Sequence, residues 1–299
     1  MDWKRALEEY RNYLVLEKAL SSNTVDAYLS DIKKLQNFCI SLQKPISCLN
    51  ISSDTLREML KELNKKKTSK KSQARILSGI KSFFHYMCLE NLIEINPCNK
   101  IDQPRIERRL PDILSVEEID MIINGVDLST KHGERNKTIL ESLYSCGLRV
   151  SELTELKCSK LFLEEGYLIV FGKGNKERLI PINSMLKKYL KNYLKIIRSH
   201  QNISKGHDDY VFLNNRGKKL SRMMIFNIVK KQTKNVLIKK NVSPHTFRHS
   251  FASHLLQGGA NLRAIQTMLG HESISTTEIY MHIDREFVRE EIIQHHPRK

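Results

Sequence analysis

YLIVFGKGNKERLIPI, residues 167–182, breaks the pattern of the chain around it. Two runs rich in β-branched and aromatic residues flank a turn that carries Gly172 and Gly174, the signature of a β-hairpin. On either side the apolar residues recur at three- and four-residue spacing, as helices require. Upstream, SVEEIDMIIN opens with Ser115 and Glu118 at capping-box spacing, and a second apolar helix runs through Ile139, Leu140, Leu143 and Tyr144 to Gly147. Downstream of Met185 helices dominate, apart from a short strand, DYVFL, expected near 209–213. This half of the chain is therefore expected to be mostly helical with a small antiparallel sheet.

The other half reads as helix throughout. Leu7, Tyr10 and Leu14 mark a first helix, and Val25, Tyr28, Ile32 and Leu35 a second that SSNT (21–24) caps. Leu56, Met59, Leu60 and Leu63 mark a third, and Ile76, Ile80, Phe83, Phe84 and Met87 a fourth. Between the last two lies NKKKTSKKSQAR (64–75), whose six cations fit a solvated loop and a phosphate-contacting edge equally well. PCNKIDQPRIERRLPDIL (97–114), with three prolines, many charges and no helical period, reads as a linker. The expected fold class is mainly α: a four-helix domain over 1–96, a linker over 97–111, and a mixed, mostly helical domain over 112–299.

Composition narrows the function. The chain has 299 residues, 40% of them hydrophobic, which suits a soluble protein of about two domains. Its 50 Lys and Arg against 33 Asp and Glu leave a net charge of +17, which fits a polyanionic partner, nucleic acid first. No apolar run approaches the roughly 18 residues of a spanning helix, and the charged start MDWKRALEEY is unlike a signal peptide, so membrane insertion is not expected and a cytoplasmic location is. The six cysteines, Cys39, Cys48, Cys88, Cys98, Cys146 and Cys158, form no CxxC pair and read as reduced core thiols.

Four pieces of the second half carry polar groups that its helix and strand patterns do not require: CGLRVSEL (146–153), FGKGNKER (171–178), PHTFRHSF (244–251) and LGHESISTTEIY (269–280). Arg149 follows a helix-ending glycine, and Glu152, three residues on, can fix its guanidinium. Seen alone, Arg149 reads more readily as an ordinary surface or helix-end cation, and Glu152 can simply be its surface partner. Lys173 sits at the hairpin tip between two glycines, without the GKS/T ending of a P-loop. His245 and Arg248, at i and i+3 of a helix that Pro244 opens, are placed to share a face, with Phe247 and Phe251 on the buried side. His245 and His249 at i and i+4 also permit a metal reading, but HTFRH lacks the acidic neighbour and third ligand of a zinc site, so no metal and no cofactor are expected.

Together these groups suffice to cut a phosphodiester. A tyrosine attacks phosphorus, two guanidiniums and histidine donors neutralise the charge on the non-bridging oxygens, and a lysine protonates the leaving 5′ oxygen. A phenolate leaves more readily than an alkoxide, so a phosphotyrosine bond keeps the reaction reversible.

GLRVSEL, GKGNKER, HTFRHSFASHLLQGGANLRAIQTMLGH and STTEIYMHI, in this order and spacing, resemble the tyrosine recombinase (phage integrase) family, in particular the bacterial Xer recombinases that resolve chromosome dimers. The first domain, with SSNTVDAYLSDIKKL, is similar to the family's helical, SAM-like core-binding module, and the closing HHPR to the tail of the D-type member of Xer pairs. The resemblance implies a site of Arg149, Lys173 as general acid, His245, Arg248, His271 and Tyr280 as the nucleophile that forms a 3′-phosphotyrosyl link, with Glu152 in support and His249 structural. It implies duplex DNA as substrate and a tetramer on DNA, formed with itself or with a XerC-like partner, residues 284–299 forming a terminal helix that docks on a neighbour, although its apolar face of Phe287, Val288, Ile292 and Ile293 fits packing on its own domain equally well. A membrane-anchored, FtsK-like DNA translocase is the further partner it implies. A mobile-element integrase or resolvase with the same chemistry is the alternative, and a catalytically silent DNA-binding module or a metal-dependent nuclease are readings from other classes.

Overall fold

The computed structural model describes residues 1–104, 112–172, 176–270 and 291–298. The chain forms two compact units, Met1–Arg109 and Leu110–Lys299.

The first unit holds the four expected helices: α1 (Trp3–Asn12), α2 (Ser22–Ser41), α3 (Ser53–Lys65) and α4 (Lys70–Leu89). Its centre is aromatic. Tyr10 meets Phe83 edge-on at 5.2 Å, Tyr13 tilts against Tyr86 at 4.9 Å, and Ile76, Ile80, Phe84 and Met87 fill the rest of the α4 face. The buried Asp31 carboxylate on α2 is held by both Nη atoms of Arg75 on α4, which ties the two longest helices of the unit together. Residues 97–100, expected to begin the linker, form a 3₁₀ turn, Pro97–Lys100, whose Cys98 is buried in this core. The turn is anchored by Asn96, which caps the Cys98 N–H, and by Ser53, which donates to the Pro97 carbonyl.

The second unit is built around α6 (Gly133–Ser145), buried on nearly every side. α5 (Val116–Asn124) leads into it through the expected capping box of Ser115 and Glu118. After α6 come the single turn α7 (Val150–Thr154) and an antiparallel sheet of β1 (Leu161–Phe162), β2 (Tyr167–Phe171) and β3 (Glu177–Pro181) in the order β1-β2-β3. The β2–β3 hairpin pairs Leu168 with Ile180 and Val170 with Arg178, so those four share one face of the sheet. α8 (Ser184–Asn192), α9 (Arg222–Asn235), α10 (Pro244–Gln257) and α11 (Leu262–Leu269) complete the described helices, and residues 291–295 add a short helical stretch.

The strand expected at 209–213 does not form a ladder. Val211, Phe212 and Leu213 are buried as a strand would be, yet only isolated bridges, Lys157 with Tyr210 and Leu213 with Lys219, are present. Side chains replace the missing neighbour: Arg198 donates to the Tyr210 carbonyl, Tyr193 to that of Val211 and Arg135 to that of Leu213. The backbone is satisfied without a sheet, and an apolar run alone does not reveal that.

Candidate active site

The site begins where α6 stops. Gly147 turns the chain at φ +55°, and a Cβ there would lie 2.5 Å from Phe251 Cδ1, so both the backbone and the packing demand glycine. Its carbonyl accepts a hydrogen bond from Arg248 Nη1 at 2.6 Å. Arg149 is the N-cap residue of α7, and Glu152 reaches back to it. The carboxylate accepts the Arg149 backbone N–H at 2.7 Å and Arg149 Nη1 at 2.8 Å. A helix of one turn has little cohesion of its own, and this double grip fixes the arginine at its start.

α10 enters the same place. Ser243 caps it, Pro244 is its first residue, and Phe247 and Phe251 lie fully buried in the core. Arg248 is buried with them, while His245 is exposed on the first turn. The i, i+3 spacing turns the second side chain by about 60° from the first, enough for one to face the interior and the other solvent.

α11 closes the site with its end. Gly270 takes the left-handed conformation at φ +61°, and three successive carbonyls each receive a different arginine. Met268 accepts from Arg178 Nε at 2.8 Å, Leu269 from Arg248 Nη2, and Gly270 from Arg149 Nη2 at 2.9 Å. The last carbonyls of a helix lack partners within it and carry the negative end of its dipole, so guanidiniums from α7, β3 and α10 converge where they are most favoured.

Glu152 is the hub of this arrangement. Only 4% exposed, it takes Arg178 Nη1 and Nη2 at 2.6 Å each, in addition to Arg149, and Arg248 Nη1 lies 4.0 Å away. Burial alone would push its carboxyl up, but Arg178 first and Arg149 second outweigh it and hold it below the usual carboxylate value. Burial, with Arg149 beside it, pushes Arg248 down to about 10, which leaves it charged at neutral pH. Burial also lowers His245, helped by His249, Arg248 and Arg149, so its imidazole is held towards the neutral form. Three guanidiniums around one carboxylate leave net positive charge, and Arg149, with its side chain 30% exposed against 11% for Arg178 and 9% for Arg248, is the one most open to an anion. Among the described residues no group of three or more His, Cys, Asp or Glu is placed to hold a metal ion.

Residues 112–286 match the phage integrase family, and residues 7–91 match the phage integrase N-terminal SAM-like domain. The chain belongs to the phage integrase family. It is 41% identical over 292 residues to the tyrosine recombinase XerD of Staphylococcus saprophyticus, covering 98% of both chains, and 41% identical over 293 residues to that of Staphylococcus aureus, again covering 98% of both. The fold is that of lambda integrase solved on a core site (TM-score 0.71, 20% identity, 93% of this chain and 100% of that one). It is also that of the XerH recombinase solved on its difH substrate (TM-score 0.71, 24% identity, 95% and 82%). This tyrosine recombinase is thus a DNA strand-exchange enzyme with the fold class expected from its sequence.

Of the residues singled out in the recombinase's sequence, Arg149, Glu152 and Arg248 meet directly, and His245 stands within electrostatic reach of them. Lys173, His271 and Tyr280 lie outside the described residues, as do Phe287 and Val288 of the expected terminal helix. His249, expected to be structural, is exposed. The end of the chain, residues 291–298, packs on its own unit, with Ile292 in the core and Arg298 paired with Asp120 and Glu141. Sequence reasoning missed Arg178, although it ends the FGKGNKER stretch. The signal was its place two residues before Ile180 on a strand, an inward position where a cation needs a buried partner.

Proposed function

We propose that the chain is a Xer-type site-specific recombinase that converts chromosome dimers to monomers. Tyr280 attacks the scissile phosphorus. The O–P bond of a 3′-phosphotyrosine forms as the P–O5′ bond breaks, the phenol gives up its proton to solvent, and the Lys173 ammonium gives one of its own to the departing 5′ oxygen. Arg149, Arg248, His245 and His271 hold the non-bridging oxygens, and Glu152 supports the arginines from behind. Attack by a 5′ hydroxyl of the partner strand reverses the step, so cutting and rejoining need neither metal nor nucleotide.

The observation that carries this reading is the meeting of Arg149 and Arg248 around buried Glu152, at the end of a helix whose chain continues directly into His271. The 41% identity to staphylococcal XerD over 98% of the chain supports the chromosomal role over a mobile-element one. Lambda integrase has been solved as a tetramer on a Holliday junction, which supports a tetramer here, built from this chain alone or with a XerC-like partner. An FtsK-like translocase and a cytoplasmic location complete the proposal. Among the described residues no helix is long and apolar enough to cross a membrane.

A suicide duplex that traps the covalent intermediate provides the test. The wild-type chain should form a protein–DNA adduct in the presence of EDTA, and Tyr280→Phe should bind the same duplex and form none. Adduct formation by the phenylalanine variant would refute the assignment.

A further inference from the structure

We propose that Arg178 is a positioning residue for DNA cleavage, a clamp that locks Glu152, the end of α11 and the β2–β3 hairpin into one arrangement. The proposal rests on the recombinase reading of the site and extends it to a residue that does not touch DNA.

All three nitrogens of the Arg178 guanidinium already face protein acceptors: Nη1 and Nη2 the two oxygens of Glu152, and Nε the carbonyl of Met268. Its side chain is 11% exposed and lies on the inward face of the sheet with Val170 and Ile180. A phosphate therefore meets Arg149 before it meets Arg178. What Arg178 fixes is the direction in which the others point. Arg149 is aimed by Glu152, and Glu152 is aimed by the fork of Arg178. Through Met268 the same fork fixes the turn whose next two carbonyls orient Arg248 and Arg149 and whose chain runs on to His271. Arg178 also stands five residues after Lys173, so the strand that follows the general acid is anchored to the carboxylate that supports the phosphate-binding arginines. A lysine keeps the charge but cannot span two carboxylate oxygens and a carbonyl at once.

The groups facing Glu152 are Arg149, Arg178 and Arg248, and Arg178 contributes most to keeping it ionised. Removing it raises the Glu152 carboxyl, so cleavage is lost at a higher pH as the solution is acidified.

Arg178→Met and Arg178→Lys in the full chain test the clamp. Single-turnover adduct formation on the suicide duplex should fall by roughly 10²-fold in Arg178→Met, the scale of a small misplacement of reacting groups. Affinity for the uncleaved duplex should be unchanged, and the acid limb of the rate profile should move to higher pH. Hydrogen exchange in the peptide spanning 262–270 should accelerate while the first unit is unaffected. Arg178→Lys, which carries the same comparison if the methionine variant does not fold, should recover only part of the rate. Cleavage at the wild-type rate with an unmoved pH profile would overturn the proposal, as would unaltered exchange at 262–270. If the wild-type chain forms no adduct, the recombinase mechanism fails, and the exchange measurement still decides the clamp.

Discussion

At the scale of single residues the site depends on a glycine as much as on its arginines. Gly147 lies between the two catalytic-site elements α6 and α7, and its carbonyl is one of the two that hold Arg248. An alanine at this position suffers twice, from φ +55° and from a Cβ 2.5 Å from the Phe251 ring. The backbone strain costs about 1–2 kcal/mol and the overpacking about 1–3 kcal/mol. Gly147→Ala should therefore lower the thermal midpoint of the second unit by roughly 6–12 °C for a loss of about 3 kcal/mol, read by calorimetry. An unchanged midpoint would mean that the ring moves aside and the turn relaxes out of its positive φ, both at no cost. Gly147, Arg149 and Glu152 were legible because they interact within a few positions of one another, where spacing alone predicts contact. Arg178 was not, because its partner is 26 positions away and only the hairpin register brings the two together.

At the scale of elements, the hairpin and the helices were legible from their periods, whereas the tail was not. HHPR carries no helical or strand pattern, and its docking depends on shapes that α5, α6 and α10 make together. His296 is fully buried between the rings of Tyr144 at 4.9 Å and Phe251 at 5.4 Å, and Arg298 beside it reaches Glu141 and Asp120. Burial first, then Arg298 and His254, pushes His296 down to about 3 from its ordinary 6.5. The folded state thus refuses a proton that the unfolded chain takes, so stability present at neutral pH is lost as the pH falls below 6.5 towards 3. Glu141, raised by burial, acts in the opposite sense, because there the folded state takes the proton first. Comparing the wild type with His296→Phe separates the two. Between pH 7 and pH 5 the wild type should lose about 2 kcal/mol more than the variant in urea unfolding, and parallel pH profiles would show that the tail leaves its site before His296 titrates.

At the scale of the whole molecule, the surplus of 17 positive charges pointed to nucleic acid before any element was assigned, but charge alone does not say where the phosphates lie. The six cations of 64–75 fit solvent and phosphate equally well by sequence; Arg75 is taken by Asp31, and helix electrostatics separates the two readings for Lys70 and Lys71. Lys70 and Lys71 occupy the first turn of α4, which contains no acidic residue, and both are exposed. Cations at a helix N-terminus oppose its dipole at a cost of about 0.3–1 kcal/mol each, whereas Lys66 close by is paired with Glu62. Among the described residues neither Lys70 nor Lys71 has an acidic partner to offset that cost, and a bound polyanion would offset it. Replacing both with glutamine should therefore leave the thermal stability of the first unit equal or higher while weakening DNA binding. Each phosphate left without its lysine flattens the slope of log K against log salt by about 0.9, so the double variant should reduce it by about 1.8, uniformly across DNA sequences. Filter binding or fluorescence anisotropy from 50 to 200 mM salt measures that slope. An unaltered slope with raised stability would assign these lysines to solvent and place the phosphate contacts of the first unit elsewhere on its surface.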